Sequence, residues 1–150
     1  MTPSLDGTVT DDELLASYPD VRLDHDNAPQ WRGFLQHRFL VNRCGRCQWW
    51  HDPPRAVCPR CWATDVEPTA ISGAGTIAAL THLHGVSSAD PDPAGDAPWP
   101  LAAVELREQP GLRVVGHLVG PGADGLGIGD AVRLTWVDDG AATRPAFEAG

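Results

Sequence analysis

The chain holds four cysteines, arranged as Cys44-Gly45-Arg46-Cys47 and Cys58-Pro59-Arg60-Cys61. Two C-x2-C pairs suit a tetrahedral ion, because each pair can close a tight turn that aims both thiolates at one point, and Zn²⁺ takes four sulfurs at about 2.3 Å. The spacing therefore predicts a rubredoxin-like zinc ribbon with Cys44, Cys47, Cys58 and Cys61 as ligands. Four thiolates leave the ion no open position, so the Zn²⁺ is expected to serve folding and not catalysis. Ten residues separate the pairs, a shorter run than the roughly 15–20 of the common form, but enough for two short strands. Iron would use the same four sulfurs, and the sequence leaves that alternative open. A disulfide framework is disfavoured, since Met1 to Asp26 has neither a basic n-region nor an apolar h-region. A thioredoxin-like redox pair needs one C-x2-C after a strand in a βαβ unit, which this Pro- and Arg-rich segment does not offer. Glycine often follows each pair in such knuckles, where a positive φ is convenient. Here Gln48 and Trp62 stand there, which predicts slightly different turns.

Charge is segregated along the chain. The 150 residues carry a net charge of −9, which argues against a general nucleic-acid binder. All eleven basic residues are Arg. Residues 1–26 hold seven acids against Arg22 alone, whereas residues 27–63 hold Arg32, Arg38, Arg43, Arg46, Arg55 and Arg60 against Asp52 alone. The cysteine module is the one basic island in an acidic chain. Some of these guanidinium groups could merely offset a tetrathiolate. Alternatively Arg43, Arg46, Arg55 and Arg60 form a contact for a phosphate-bearing ligand or an acidic partner, because guanidinium forks match such oxygens bidentately. An apolar fraction of 42% supports a packed core. No run reaches the roughly 20 apolar residues of a membrane helix, and the expected location is the cytoplasm.

The elements that must position these groups read as short helices followed by strands. Met1 to Thr10 reads as a disordered leader. Thr10-Asp11-Asp12-Glu13 fits a capping box that opens a short helix stopped by Pro19. Residues 20–28 read as a polar linker. Asn27 is expected to cap a second helix in which Trp31, Phe34 and Leu35 fall at i, i+3 and i+4. Gly33 weakens that helix, so its apolar stripe has to dock, either on its own ribbon or on a partner. Arg38 to Asn42 reads as a strand into the first knuckle. Trp49, Trp50 and Trp62 crowd a module too small to bury them all, which makes some of them candidate partner anchors. His51 is expected near the site and not as a ligand. Beyond Cys61 the expected strands are 66–72, 76–84, 101–106, 112–119 and 131–137, with a 16-residue loop at 85–100 of the length that is often functional or disordered. Five strands suggest a small closed barrel, the OB-fold being the obvious candidate. The fold class is thus mainly β, with short N-terminal helices, a ribbon and a five-stranded barrel. The expected domains are a flexible acidic leader with a short helix at 1–26, helix plus ribbon at 27–65, and the OB-fold at 66–147.

No catalytic constellation stands out in the C-terminal half. His82, His84 and His117 are the candidates for a second metal, but no carboxylate lies near them in the pattern. The chain lacks G-x-S-x-G, the P-loop and G-x-G-x-x-G.

The order of parts resembles a known family. A short helix with Trp31, a four-cysteine ribbon with Pro53-Pro54-Arg55 before its second pair, Ser72-Gly73-Ala74-Gly75-Thr76-Ile77, a strand ending in His84, Pro100 to Leu106 with its Val104-Glu105-Leu106, and Gly127-Ile128-Gly129-Asp130 before a strand look like the acyl-CoA-associated zinc-ribbon/OB-fold family, first catalogued as domain of unknown function thirty-five. The resemblance covers roughly residues 27–147. It implies an accessory subunit of thiolase-fold proteins that make or break carbon–carbon bonds on CoA thioesters. These include side-chain-cleaving aldolases of steroid catabolism, thiolases of aromatic degradation, acyltransferases of polyketide-like pathways and an archaeal complex that channels acyl-CoA. The partner carries the catalytic Cys, His or Tyr, so no catalytic residue is assigned here. Trp31, Phe34, Leu35, Trp49 and Trp50 become the candidate partner interface, and Arg43, Arg46, Arg55 and Arg60 candidate contacts to CoA or partner. Two other classes stand beside this one. A free-standing acyl-CoA binding or delivery module would hold the CoA phosphates by itself. A nucleic-acid-binding ribbon plus OB protein would need a basic barrel face, whereas residues 64–150 carry twelve acids against four Arg.

Overall fold

The computed structural model describes residues 8–84, 98–140 and 142–150. The expected 85–100 loop falls largely outside them, as does most of the expected 1–10 leader. The chain divides into two compact units, Met1–Ser72 with Trp136–Pro145, and Gly73–Thr135 with Ala146–Gly150.

The first unit opens with α1, Asp11–Ser17. The expected capping box is present: the Glu13 amide donates to Thr10 Oγ1 at 3.2 Å and the Thr10 amide to Glu13 Oε2 at 2.8 Å. Leu14 and Tyr18 are buried, the Tyr18 hydroxyl donates to the Thr143 carbonyl, and Arg32 pairs with Asp11. The segment expected as a flexible leader is therefore anchored from α1 onward. The reason lies in two large apolar side chains one helical turn apart, which a solvated leader would leave in water. The linker expected at 20–28 is also tied. Asp24 Oδ1 accepts from the amides of Asp26 and Asn27, and Asn27 Nδ2 donates to the Arg22 carbonyl. That use of Asn27 leaves α2, Ala28–Leu35, without the expected side-chain cap.

From α2 an aromatic chain runs through the unit. Tyr18 meets Trp31 at 4.8 Å between ring centroids, Trp31 meets Phe34 at 5.1 Å, Phe34 meets Phe39 at 5.0 Å and Trp136 at 5.9 Å, and His37 stacks on Trp136. Edge-on pairs at these distances add about 0.5–1.5 kcal/mol each beyond area burial. The ribbon sheet has the order β2-β1-β3, with β1 Leu40–Cys44 antiparallel to both β2, Trp50–His51, and β3, Val66–Ala70. The expected strand at 66–72 thus belongs to the ribbon sheet and not to the barrel. Its register, Cys44 opposite Val66, explains this: β3 leaves the second knuckle directly beside β1.

The barrel is closed in the order β4-β5-β6-β8-β7, from Ala74–Leu83, Trp99–Leu106, Arg113–Leu118, Ala142–Ala149 and Ala131–Asp139 respectively. Its fifth strand is β8, which lies beyond the last expected strand at 131–137. The β6–β8 pair is parallel and β4–β7 antiparallel, which makes it a five-stranded Greek-key barrel. Ile77, Ala102, Val104, Val114, Leu118, Val132 and Phe147 are buried in it. A bulge between Ile77 and Ala79 lets the ten-residue β4 bend from β7 to β5. The resemblance motifs meet at this seam. Gly75, Thr76 and Ile77 lie opposite Leu106, Glu105 and Val104, while Ile77 exchanges backbone hydrogen bonds with Asp130 and Gly129. A Cβ at Gly75 would stand 2.5 Å from Val104 Cγ1 and 2.7 Å from the Glu105 carbonyl oxygen, and Gly73 has φ 85°. The S-G-x-G-T glycines thus permit close approach of strands.

Candidate metal centre and the surface around it

The two knuckles repeat one backbone plan. The Gln48 amide donates to the Cys44 carbonyl at 2.9 Å and the Trp62 amide to the Cys58 carbonyl at 3.0 Å; the Cys44 amide donates to the Trp49 carbonyl and the Cys58 amide to the Ala63 carbonyl, both at 2.9 Å. Each turn therefore needs a left-handed residue after its second cysteine. Gln48 and Trp62 adopt it, with φ of 64° and 62°. This corrects the expectation of different turns: the geometry is retained and the non-glycine residues bear its strain.

All four Sγ atoms lie within 4.8 Å of one another, with Cys44–Cys61 and Cys47–Cys58 at 3.6 Å. A tetrahedron of sulfurs 2.3 Å from zinc has edges of about 3.8 Å, so the donor set fits the ion. A disulfide would bring sulfurs to about 2.05 Å, and all four cysteines are free. Cys44 and Cys58 are buried, Cys47 and Cys61 half-buried. The Cys47 amide, donating to Cys44 Sγ at 3.5 Å, draws the Cys44 thiol down to about 7. At Cys47 the Trp49 amide pulls the same way, but burial and the three neighbouring sulfurs hold the thiol up at about 11. Four thiolates this close require a cation among them, and binding one drives their deprotonation. Zinc held here joins β1 to the loop before β3 and supplies folding energy with no open coordination position.

The residues around the centre do not converge on one pocket. Arg43 lies over the Trp50 ring at 5.2 Å and Arg60 over the Trp49 ring at 4.8 Å, within cation–π reach. Arg46 and Arg60 occupy equivalent positions in the two knuckles, both exposed, and Arg55 is exposed in the connecting segment. Of the candidate interface side chains, Phe34 is buried, while Trp31, Leu35, Trp49 and Trp50 are half-buried; Trp31 and Phe34 sit in the aromatic chain of the first unit. His51 is buried with neither ring nitrogen hydrogen-bonded, and burial lowers its pKa. Beside it burial raises the Asp52 pKa, against the hydrogen bond from Gln30 Nε2 at 3.0 Å. Trp62, named with Trp49 and Trp50 as a candidate anchor but left out of the candidate interface set, is the most exposed of the three at 79%. The signal was available as a Trp standing where glycine is convenient.

In the barrel unit a cavity of about 390 Å³ opens beside Thr76, Glu105 and Arg107. His82 and His84 are exposed, and His117 lies edge-on to Trp99 at 5.8 Å. Among the described residues the four cysteines are the metal-competent cluster, and the three histidines do not form one.

Residues 31–67 match the family model described as the ChsH2 rubredoxin-like zinc ribbon domain, and residues 68–137 that of the ChsH2 C-terminal OB-fold domain. Among solved structures, a chain of the "Ltp2-ChsH2(DUF35) aldolase" is 32% identical; the match covers 86% of this chain and 98% of that one, with a TM-score of 0.73. The chain belongs to the ChsH2 (DUF35) family. A DUF35 protein of unknown function from Sulfolobus solfataricus shares the fold at 12% identity, with 93% of this chain and 96% of that one covered and a TM-score of 0.59. A "Probable enoyl-CoA hydratase alpha subunit" of Thermomonospora curvata is 32% identical over 139 residues, 92% of this chain. The chain spans 42% of that relative's length. The ChsH2 ribbon is a zinc ribbon, so the cysteine cluster is the zinc site expected from the spacing, and the ribbon-plus-barrel class stands.

Proposed function

We propose that this ChsH2-family chain is a non-catalytic accessory subunit of a thiolase-fold enzyme, a retro-aldolase or thiolase acting on CoA thioesters. It stabilises that partner in a cytoplasmic hetero-oligomer and shapes the acyl-CoA entrance. The observation that carries the reading is the likeness to one chain of an assembly named as an aldolase, matched over 98% of that chain. The relative named as an enoyl-CoA hydratase subunit supports a CoA thioester as the substrate class. Steroid side-chain acyl-CoA is the first substrate to test. A free-standing delivery module is the second reading, favoured by the exposed Arg46, Arg55 and Arg60. No helix among the described residues is long and apolar enough to cross a membrane.

The test is to purify the chain alone and co-expressed with a thiolase-fold protein from the same genome, comparing size-exclusion mass and acyl-CoA cleavage or condensation. The expected result is an active complex from components that are inert or insoluble apart. A well-behaved monomer with no effect on the enzyme overturns the reading, and CoA titration of that monomer then decides on the delivery module.

A further inference from the structure

Trp62 is the most exposed large apolar side chain among the described residues, at 79%, and it stands in left-handed backbone with φ 62°. A bulky L residue rarely enters that region. Its backbone bond to the Cys58 carbonyl would be made equally by glycine, so neither burial nor hydrogen bonding within the ribbon rewards the indole. Strain kept where the fold gains nothing points to a contact outside the chain.

The surroundings say what kind. Since the four sulfurs lie within 4.8 Å of one another, the two knuckle tips flank a single centre. Arg46 and Arg60 sit at equivalent positions on these tips, both are exposed, and among the described residues neither joins an ion pair. Arg60 is held over Trp49 at 4.8 Å, which fixes its guanidinium on the tip. Asp52, the one acid of residues 27–63, is partly satisfied by Gln30, and the Asp65 carboxylate lies against Gly45 of the first knuckle. The two knuckles around this centre therefore present one exposed indole and two exposed guanidinium groups, residue types that dominate protein–protein hot spots.

We infer that the knuckle tip formed by Trp62, Arg46 and Arg60 is a docking anchor for a protein surface that offers an apolar pocket rimmed by carboxylates. A small phosphate-bearing ligand fits less well. Such ligands are enclosed by concave sites that bury 70–90% of their surface, whereas an indole 79% exposed protrudes and needs walls from the other molecule. This inference rests on the accessory-subunit reading and names the surface through which that partner would be held.

The experiment measures the dissociation constant between the zinc-loaded full chain and the co-expressed thiolase-fold protein, for wild type, Trp62→Gly and Arg46→Glu, together with CoA titrations and thermal midpoints. Trp62→Gly is expected to weaken the complex about 30-fold or more while leaving the thermal midpoint unchanged or raised, because glycine relieves the left-handed strain. Arg46→Glu is expected to weaken it about tenfold and to flatten its salt dependence. Wild-type affinity in Trp62→Gly, with the wild-type complex formed, overturns this inference and leaves the accessory reading standing. A variant that loses CoA affinity alone overturns it in favour of a small-ligand site. Absence of any wild-type complex overturns both.

Discussion

Alanine at Gly75 tests whether the barrel closes by the strand approach described above. Its Cβ would lie 2.5 Å from Val104 Cγ1 and 2.7 Å from the Glu105 carbonyl oxygen. Val104 is fully buried and stiff at χ1, and the carbonyl belongs to a paired strand, so neither neighbour can simply rotate away. Overpacking of this kind costs about 1–3 kcal/mol, offset by about 0.4–1 kcal/mol from the smaller entropy of the unfolded chain. The expected net loss is about 1–2 kcal/mol. Gly73→Ala should lose more, about 2–4 kcal/mol. There the Cβ would stand 2.7 Å from Leu134 Cβ, the φ of 85° adds strain, and the bond from the Leu134 amide to the Gly73 carbonyl, at 2.7 Å, holds the pair together. Gly125→Ala is the control: nothing lies within 4 Å of its Cβ and its φ is not positive. It should be neutral or gain up to about 1 kcal/mol. Urea unfolding of the zinc-saturated variants, followed by far-UV circular dichroism with midpoints and slopes compared, gives the three values. Wild-type stability in Gly75→Ala, or a loss in Gly125→Ala as large as that in Gly73→Ala, would refute the reasoning.

The remaining predictions concern the first unit. Stripping zinc with a chelator, or replacing Cys58 by Ser, is expected to abolish bound metal and collapse the ribbon, since apo ribbons lack the folding energy the ion supplies; metal analysis and tryptophan fluorescence read both. Tyr18→Phe leaves the Thr143 carbonyl without its buried donor and should cost about 1–2 kcal/mol in denaturant unfolding. Burial, opposed by the Pro53 backbone and Asp52 and reinforced by Arg55, sets the folded His51 pKa below its ordinary 6.5. The unfolded chain then binds the extra proton first, so this group's contribution to stability is full above about 6.5 and falls as the pH drops toward the folded value; at saturating zinc the loss of stability over that window should be steeper in wild type than in His51→Gln.

The local signals in the sequence carried far. C-x2-C spacing placed four sulfurs on one centre, and Thr10 with Glu13 marked the start of α1, because both depend on residues a few positions apart. What was missed depends on long-range pairing. Asn27 was expected to cap α2, but its side chain is committed to Asp24 and Arg22. The strand β3 alternates no differently from a barrel strand, and only its register against β1 assigns it to the ribbon. The strand β8 contains Pro145 and opens with Ala142-Thr143-Arg144, a composition that hides a strand until its partners β6 and β7 are known. The stripe of Trp31 and Phe34 could not be given its dock, ribbon or partner, because Tyr18 and Trp136, which meet it along with the nearby Phe39, come from other segments of the chain.

The motifs that carry the family resemblance are motifs of architecture. S-G-x-G-T lies against V-E-L, and I-G-D is bonded back to Ile77, so all three serve one seam of the barrel. A chain keeping them must close the same barrel whatever it docks on or feeds. Conversely, the positions that depart from the pattern while keeping its backbone, Gln48 and Trp62, bear a strain that the fold alone would remove by choosing glycine. The two are not alike. Gln48 Nε2 donates to the Gly45 carbonyl at 2.8 Å, a local return for its conformation, whereas Trp62 is left extended into solvent. Closure of the barrel accounts for the shared motifs, and the unrewarded indole is where the chemistry particular to this chain should be sought.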